Sequence, residues 1–217
     1  MHRTRVKICG MRSVDDALAA AAAGADAIGL IFYEQSPRVV SIDQALAIRS
    51  ALPPFVSTVA LFVNASRAQV ASVLADVRPE LLQFHGEEDE AYCASFQVRY
   101  LKAVRVGPGT GANDLLQSKT RFASASGLLL DALHASKYGG TGESFDWNLI
   151  PEAMRPQIVL SGGLTPQNVG GAVRAIRPWA VDVSSGVEAG NGATKGIKDH
   201  ARIAAFINEV RRADQGS

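Results

Sequence analysis

Eight times along this chain a short apolar run gives way to a segment with helical periodicity. The runs are Arg5–Ile8, Ala27–Phe32, Ser57–Phe62, Leu81–Phe84, Tyr100–Val106, Gly127–Leu130, Ile158–Leu160 and Ala180–Val183. Several, such as Leu128-Leu129-Leu130, are nearly continuous in apolar residues, as suits parallel strands covered on both faces. Strands that alternate with helices imply right-handed crossovers and a parallel sheet. Eight such units match a closed (β/α)₈ barrel, the TIM-barrel architecture of the α/β class. An open doubly wound sheet usually has fewer strands and a glycine-rich fingerprint after the first. Cys9-Gly10-Met11-Arg12 is not that fingerprint.

The helical segments carry start and stop signals. Ser13 is placed to cap a helix that Gly24 ends. Ser41 precedes Ile42–Leu52, which Pro53-Pro54 terminates, and Ser66 opens Arg67–Val77. Glu87–Phe96 and Asn113–Lys119 are shorter helices, and a brief sixth is expected near Trp147–Met154. Thr165-Pro166 reads as a cap followed by proline at the first helical position, leading into Gln167–Ile176. The last helix is expected from Asp199 to Val210, with residues 213–217 as a frayed tail. No linker or composition shift divides the sequence, so residues 1–217 read as one domain.

Composition narrows the function. Of 217 residues, 47% are hydrophobic and 20% charged, enough for a sizeable core. A net charge of +1 offers no bulk attraction to nucleic acid or an anionic membrane. Two cysteines, Cys9 and Cys93, do not make a disulfide framework, and with four scattered histidines they give no zinc spacing. No secretory or membrane-spanning segment is legible, so a reducing cytoplasm is the expected compartment.

In a barrel of this kind the active site forms at the C-terminal ends of the strands. After the first strand comes Cys9, a thiol of reference pKa about 8.5 that a modest push would make a base near neutrality. After the sixth comes Asp131, a carboxyl hard to explain as core and suited to general-acid work if burial raises its pKa. Arg38, behind Pro37 in the second loop, suits bidentate capture of a carboxylate at the rim. His85 reads as a neutral hydrogen-bonding residue beside the substrate. The glycine-rich segment Tyr138–Gly142, with Gly140 at its centre, suits a lid over the substrate. Gly162 and Gly163 after strand seven, and Ser185 and Gly186 after strand eight, let backbone N–H groups approach a phosphate, helped by a short helix N-terminus. Asp182 is a secondary candidate, facing the pocket or balancing a neighbouring positive charge.

Together Val6-Lys7-Ile8-Cys9-Gly10, Ser36-Pro37-Arg38, Leu82-Gln83-Phe84-His85-Gly86, Leu128–Ala132, Gly162-Gly163-Leu164-Thr165-Pro166 and Asp182–Glu188 resemble the phosphoribosylanthranilate isomerase family of tryptophan biosynthesis. The resemblance runs from Val6 to about Val210. Phe84 departs from it, standing where leucine is commoner. It implies an Amadori rearrangement of N-(5-phosphoribosyl)anthranilate, with Asp131 as general acid, Cys9 as general base and Arg38 on the anthranilate carboxylate. No cofactor and no metal are implied, and the partner is a small phosphoribosyl molecule bound by a monomer or homodimer. Two other readings compete: a sister aminoaldose isomerase of histidine biosynthesis, and a non-catalytic phospho-ligand-binding barrel. Sister isomerases typically use two aspartates, and a binder needs neither an acid nor a base.

Overall fold

The computed structural model describes residues 3–132, 145–190 and 194–216. Eight parallel strands close in sequence order: β1 Arg5–Cys9, β2 Ala27–Ile31, β3 Ser57–Phe62, β4 Leu81–Phe84, β5 Tyr100–Val106, β6 Gly127–Ala132, β7 Ile158–Leu160 and β8 Ala180–Val183. The (β/α)₈ barrel is therefore the fold. The α-helices among the described residues are α1 Val14–Ala23, α2 Ile42–Ala51, α3 Arg67–Asp76, α4 Glu90–Ala94, α5 Ala112–Arg121, α6 Val169–Ile176 and α7 His200–Gln215.

Local chemistry accounts for most helix ends. Ser13 accepts from Asp16 N–H, Ser66 from Gln69 N–H and Asp199 from Arg202 N–H, while Ser41 and Gln44 form a reciprocal capping box. Gly24 closes α1 at φ 104°, in the left-handed region.

Three expectations change. The sixth helical segment is two 3₁₀ turns, Trp147–Leu149 and Glu152–Gln157, because Pro151 and Pro156 deny an α-helix its hydrogen bonds. Helix α6 starts at Val169, not at Gln167: Asn168 Oδ1 accepts from Thr165 N–H and its amide donates to Gly163 O, closing a turn first. The C-terminal residues are not frayed to Gln215. Helix α7 runs that far, Ala213 is fully buried, and Asp214 accepts from Thr4 N–H and hydroxyl, tying the last helix to the start of the chain.

Period-2 alternation divides the strand residues between two regions. Outward residues such as Ile8, Ile28, Leu82, Phe84, Leu128, Leu130 and Val181 pack under the helices in one continuous core. Phe84 is a hub of that core, with Phe62, Tyr92, Phe96 and Tyr100 at ring distances of 5.7–6.2 Å. Inward residues Leu81, Leu101, Ala103, Leu129, Val159 and Ala180 form a separate apolar cluster inside the barrel. The barrel also buries Lys7, Cys9, Gln83, Asp131 and Asp182, polar or reactive side chains that this apolar cluster does not include. No helix among the described residues is long and apolar enough to cross a membrane.

Candidate active site

A cavity of about 500 Å³ opens at the C-terminal ends of the strands. Cys9, Arg38, His85, Asp131, Gly162, Gly163, Asp182, Ser185 and Gly186 all line it. Gly140 and the proposed lid, residues 138–142, lie outside the described residues.

Cys9 ends β1 and is 3% exposed, against an apolar wall of Ile31, Leu61 and Val63. Its strand partner is Gly29, where any Cβ would sit 2.6 Å from Sγ, so glycine keeps the thiol's place open. Burial pushes the Cys9 thiol above its ordinary value. The charge of Lys7 opposes that most, Lys198 helps less, and Asp182 adds to the rise. A thiol poised near neutrality is therefore not what the pocket makes. Burial favours the neutral thiol, and the charge of Lys7 is the largest single influence favouring the thiolate. Cys93, buried on α4 and outside the cavity lining, has its thiol pushed up to about 12 by burial.

Lys7 lies two residues before Cys9 on the same face of β1, and the β1–β8 register sets it beside Asp182. Its Nζ is 2.9 Å from Asp182 Oδ1, with both side chains almost completely buried. Burial would lower the Lys7 ammonium, but Asp182 and Cys9 together raise it, so it stays charged. Asp182 is thus the partner of a buried cation as well as part of the cavity wall.

Asp131, at 4% exposure, faces inward from β6 on a strand three places round the barrel from β1. Its Oδ2 lies 3.0 Å from His85 Nε2, and His85 Nδ1 lies 3.0 Å from Gln83 Nε2. The histidine is a hydrogen-bonded link between two strands.

Arg38 differs from its expected place at an open rim. It is 5% exposed, and its Nε and Nη2 donate to Glu188 at 2.5 and 2.9 Å. Glu188 also accepts from Gly196 N–H at 3.0 Å and from Lys198 at 3.2 Å. The bidentate fork is engaged within the protein, so a ligand carboxylate would meet the remaining Nη edge of Arg38. Burial alone would raise the Glu188 carboxyl; the hydrogen bond from Arg38 and the two cations overcome it and hold the group below its ordinary value. Lys195, on the same side of the cavity, adds a further cation to the wall.

The turns after β7 and β8 form the remaining side. Gly162 and Gly163 have φ of 82° and 67°, a conformation natural to glycine. A Cβ on Gly186 would run into the Leu164 carbonyl, so the two turns pack backbone against backbone. Ser185–Val187 is one 3₁₀ turn rather than the start of an α-helix. Anion binding there would rely on individual N–H groups more than on a helix dipole. Lys198 Nζ braces the turn by donating to Ser184 O at 2.9 Å.

Lys7, Gln83, Glu188 and Lys198 are the site residues that reading strand ends alone did not single out. Lys7 and Gln83 were accessible in principle, because each sits two residues before a singled-out position on the same strand face.

A sequence model of the N-(5'-phosphoribosyl)anthranilate isomerase family matches residues 6–209. A protein of that description from Pseudomonas fluorescens is 53% identical over 211 residues, 97% of this chain and 100% of its own length. The crystal structure of phosphoribosyl anthranilate isomerase from Thermotoga maritima superposes with a TM-score of 0.84 at 39% identity, covering 96% of this chain and 99% of that one. A structure of such an isomerase in complex with reduced 1-(o-carboxyphenylamino)-1-deoxyribulose 5-phosphate has a TM-score of 0.82 at 38% identity, with the same coverage of both chains.

Proposed function

The chain belongs to the N-(5'-phosphoribosyl)anthranilate isomerase family, and from that premise we propose that Cys9 and Asp131 are the base and acid of its reaction. The protein is an isomerase of tryptophan biosynthesis, converting N-(5-phosphoribosyl)anthranilate into 1-(2-carboxyphenylamino)-1-deoxyribulose 5-phosphate. One observation carries the residue assignment: a buried thiol and a buried carboxyl line a single cavity from well-separated strands, with two glycine turns at its edge.

Asp131 gives its proton to the furanose ring oxygen. The C1–O bond breaks with its electron pair on oxygen, and the amine lone pair closes a C=N iminium. The Cys9 thiolate then removes the C2 proton, and those electrons neutralise the iminium to give an enolamine. Tautomerisation places a proton on C1, removes the one on the C2 hydroxyl and leaves a ketone. No electrons leave the substrate. Each positioned acid or base contributes roughly 10²–10⁴-fold. The phosphate, held at Gly162, Gly163, Ser185 and Gly186, is a remote handle that orients the reacting end. Arg38 takes the anthranilate carboxylate on its free edge. The compartment that fits two free, buried cysteines is the reducing cytoplasm.

Cys9→Ala and Asp131→Asn test the assignment. Each is expected to lower single-turnover rates by at least about 10²-fold, with the substrate generated in situ and followed by its fluorescence. The thermal transition should stay close to wild type. Wild-type rates in either variant would remove that residue from the mechanism.

A further inference from the structure

We propose that Gln83 is a positioning residue for the acid step: its amide fixes His85 in the form that carries hydrogen on Nε2, so that Asp131 presents its other oxygen to the substrate. The inference rests on Asp131 being the acid.

Gln83 and His85 leave β4 on the same side of the chain, and both are buried. A neutral imidazole has one donor and one acceptor nitrogen, and an amide NH₂ can only donate. With Gln83 Nε2 3.0 Å from His85 Nδ1, Nδ1 is the acceptor and Nε2 carries the hydrogen. Nε2–H then donates to Asp131 Oδ2 across 3.0 Å. Oδ1 is left to carry the transferable proton. It lies beside Gly162 at the cavity wall, where a Cβ would run into the Ala132 backbone N and come within 3.1 Å of Oδ1, so glycine lets the turn after β7 close against the acid's strand.

The orientation leaves Gln83 Oε1 buried and without a hydrogen-bond partner among the described residues. Turning the amide over would not relieve this, since the NH₂ would then occupy the unpartnered place. It would also put hydrogen on Nδ1 and leave Nε2 bare opposite Asp131 Oδ2. Those two acceptors could meet only if the carboxyl proton pointed at the imidazole, away from the substrate. One amide orientation therefore serves acid catalysis and the other blocks it.

The step balances with this arrangement. Asp131 Oδ1–H passes to the ring oxygen, and the negative charge that appears on the carboxylate is already met at Oδ2 by Nε2–H. That hydrogen bond strengthens as the charge develops, so its loss should appear in kcat more than in KM.

The test uses the full-length chain labelled with ¹⁵N-histidine, whose imidazole nitrogens report protonation directly. The His85 signals are identified by their loss in His85→Asn. Wild type is expected to show Nε2 protonated and Nδ1 bare. Gln83→Leu and the unbranched Gln83→Met should each release an Nδ1–H population and lower kcat roughly 10- to 100-fold, part of the general-acid contribution. KM should change less than about twofold. A wild-type spectrum with Nδ1 protonated overturns the proposal without recourse to any variant. So does a wild-type kcat in Gln83→Leu or Gln83→Met, or a loss confined to KM. Full turnover in Asp131→Asn would instead sink the acid assignment while leaving the tautomer spectrum unchanged, so the two failures are distinguishable.

Discussion

Replacing Lys7 by methionine separates two roles of one buried charge. Lys7 Nζ and Asp182 Oδ1 are 2.9 Å apart with side-chain exposures of 5% and 6%. Removing one member of such a pair strands the other in a poorly solvated place, at about 3–5 kcal/mol. For a chain of this size 1 kcal/mol moves Tm by about 2–4 °C, so Lys7→Met should melt roughly 6–20 °C lower. The double variant Lys7→Met/Asp182→Leu leaves no stranded charge, and well-packed apolar pairs are often neutral replacements. It should therefore recover most of the loss. The thiol should recover only in part. Lys7 is the strongest neighbour opposing the burial that raises the Cys9 thiol, and it acts with Lys198 against Asp182. Without Lys7 the thiol rises further in the single variant, and each unit removes tenfold of the thiolate at a given pH. In the double variant Asp182's opposing charge is gone too, so its thiol should lie between the single variant and wild type. The assays are thermal unfolding and the pH dependence of iodoacetamide alkylation in a Cys93→Ala background, alongside kcat/KM against pH. Rates that depend on thiolate rise with pH, and the rise should move to higher pH in Lys7→Met. A double variant as unstable as the single, or an alkylation profile unmoved in Lys7→Met, would refute the reasoning.

Other outcomes follow from the same geometry. Glu188→Gln should lower stability above about pH 4.5, because the depressed native carboxyl contributes stability above its unfolded pKa and loses it as pH falls through the native one. Denaturant titrations should show the gap between variant and wild type narrowing toward acid. Arg38→Ala should weaken anthranilate-bearing ligands much more than inorganic phosphate in calorimetry, and equal losses would contradict a carboxylate role. Phe84→Ala should cost about 3–5 kcal/mol in urea unfolding, since it removes the ring at the centre of the aromatic core. Gly186→Ala should reduce phosphate affinity, because its Cβ meets the Leu164 carbonyl and must part the two turns.

The sequence by itself determined the repeated strand–helix unit, and with it the closed barrel. Burial on both sheet faces writes itself into runs such as Leu128-Leu129-Leu130, and caps such as Ser13 and Ser41 are local interactions that a few residues fully specify. It also placed Cys9 and Asp131 at strand ends, where a barrel gathers its chemistry. It could not pair the buried charges around them. Lys7 and Asp182 are 175 residues apart, Arg38 and Glu188 are 150 apart, and His85 and Asp131 are 46 apart. A charge signals in sequence only that a partner is needed once it is buried. Which partner it meets depends on barrel register and closure, and these turned Arg38 from an open rim cation into half of a buried pair and set an ammonium beneath the thiol. The ends of the chain show the same division: Ala213 and Asp214 look like a tail until closure brings Thr4 within reach.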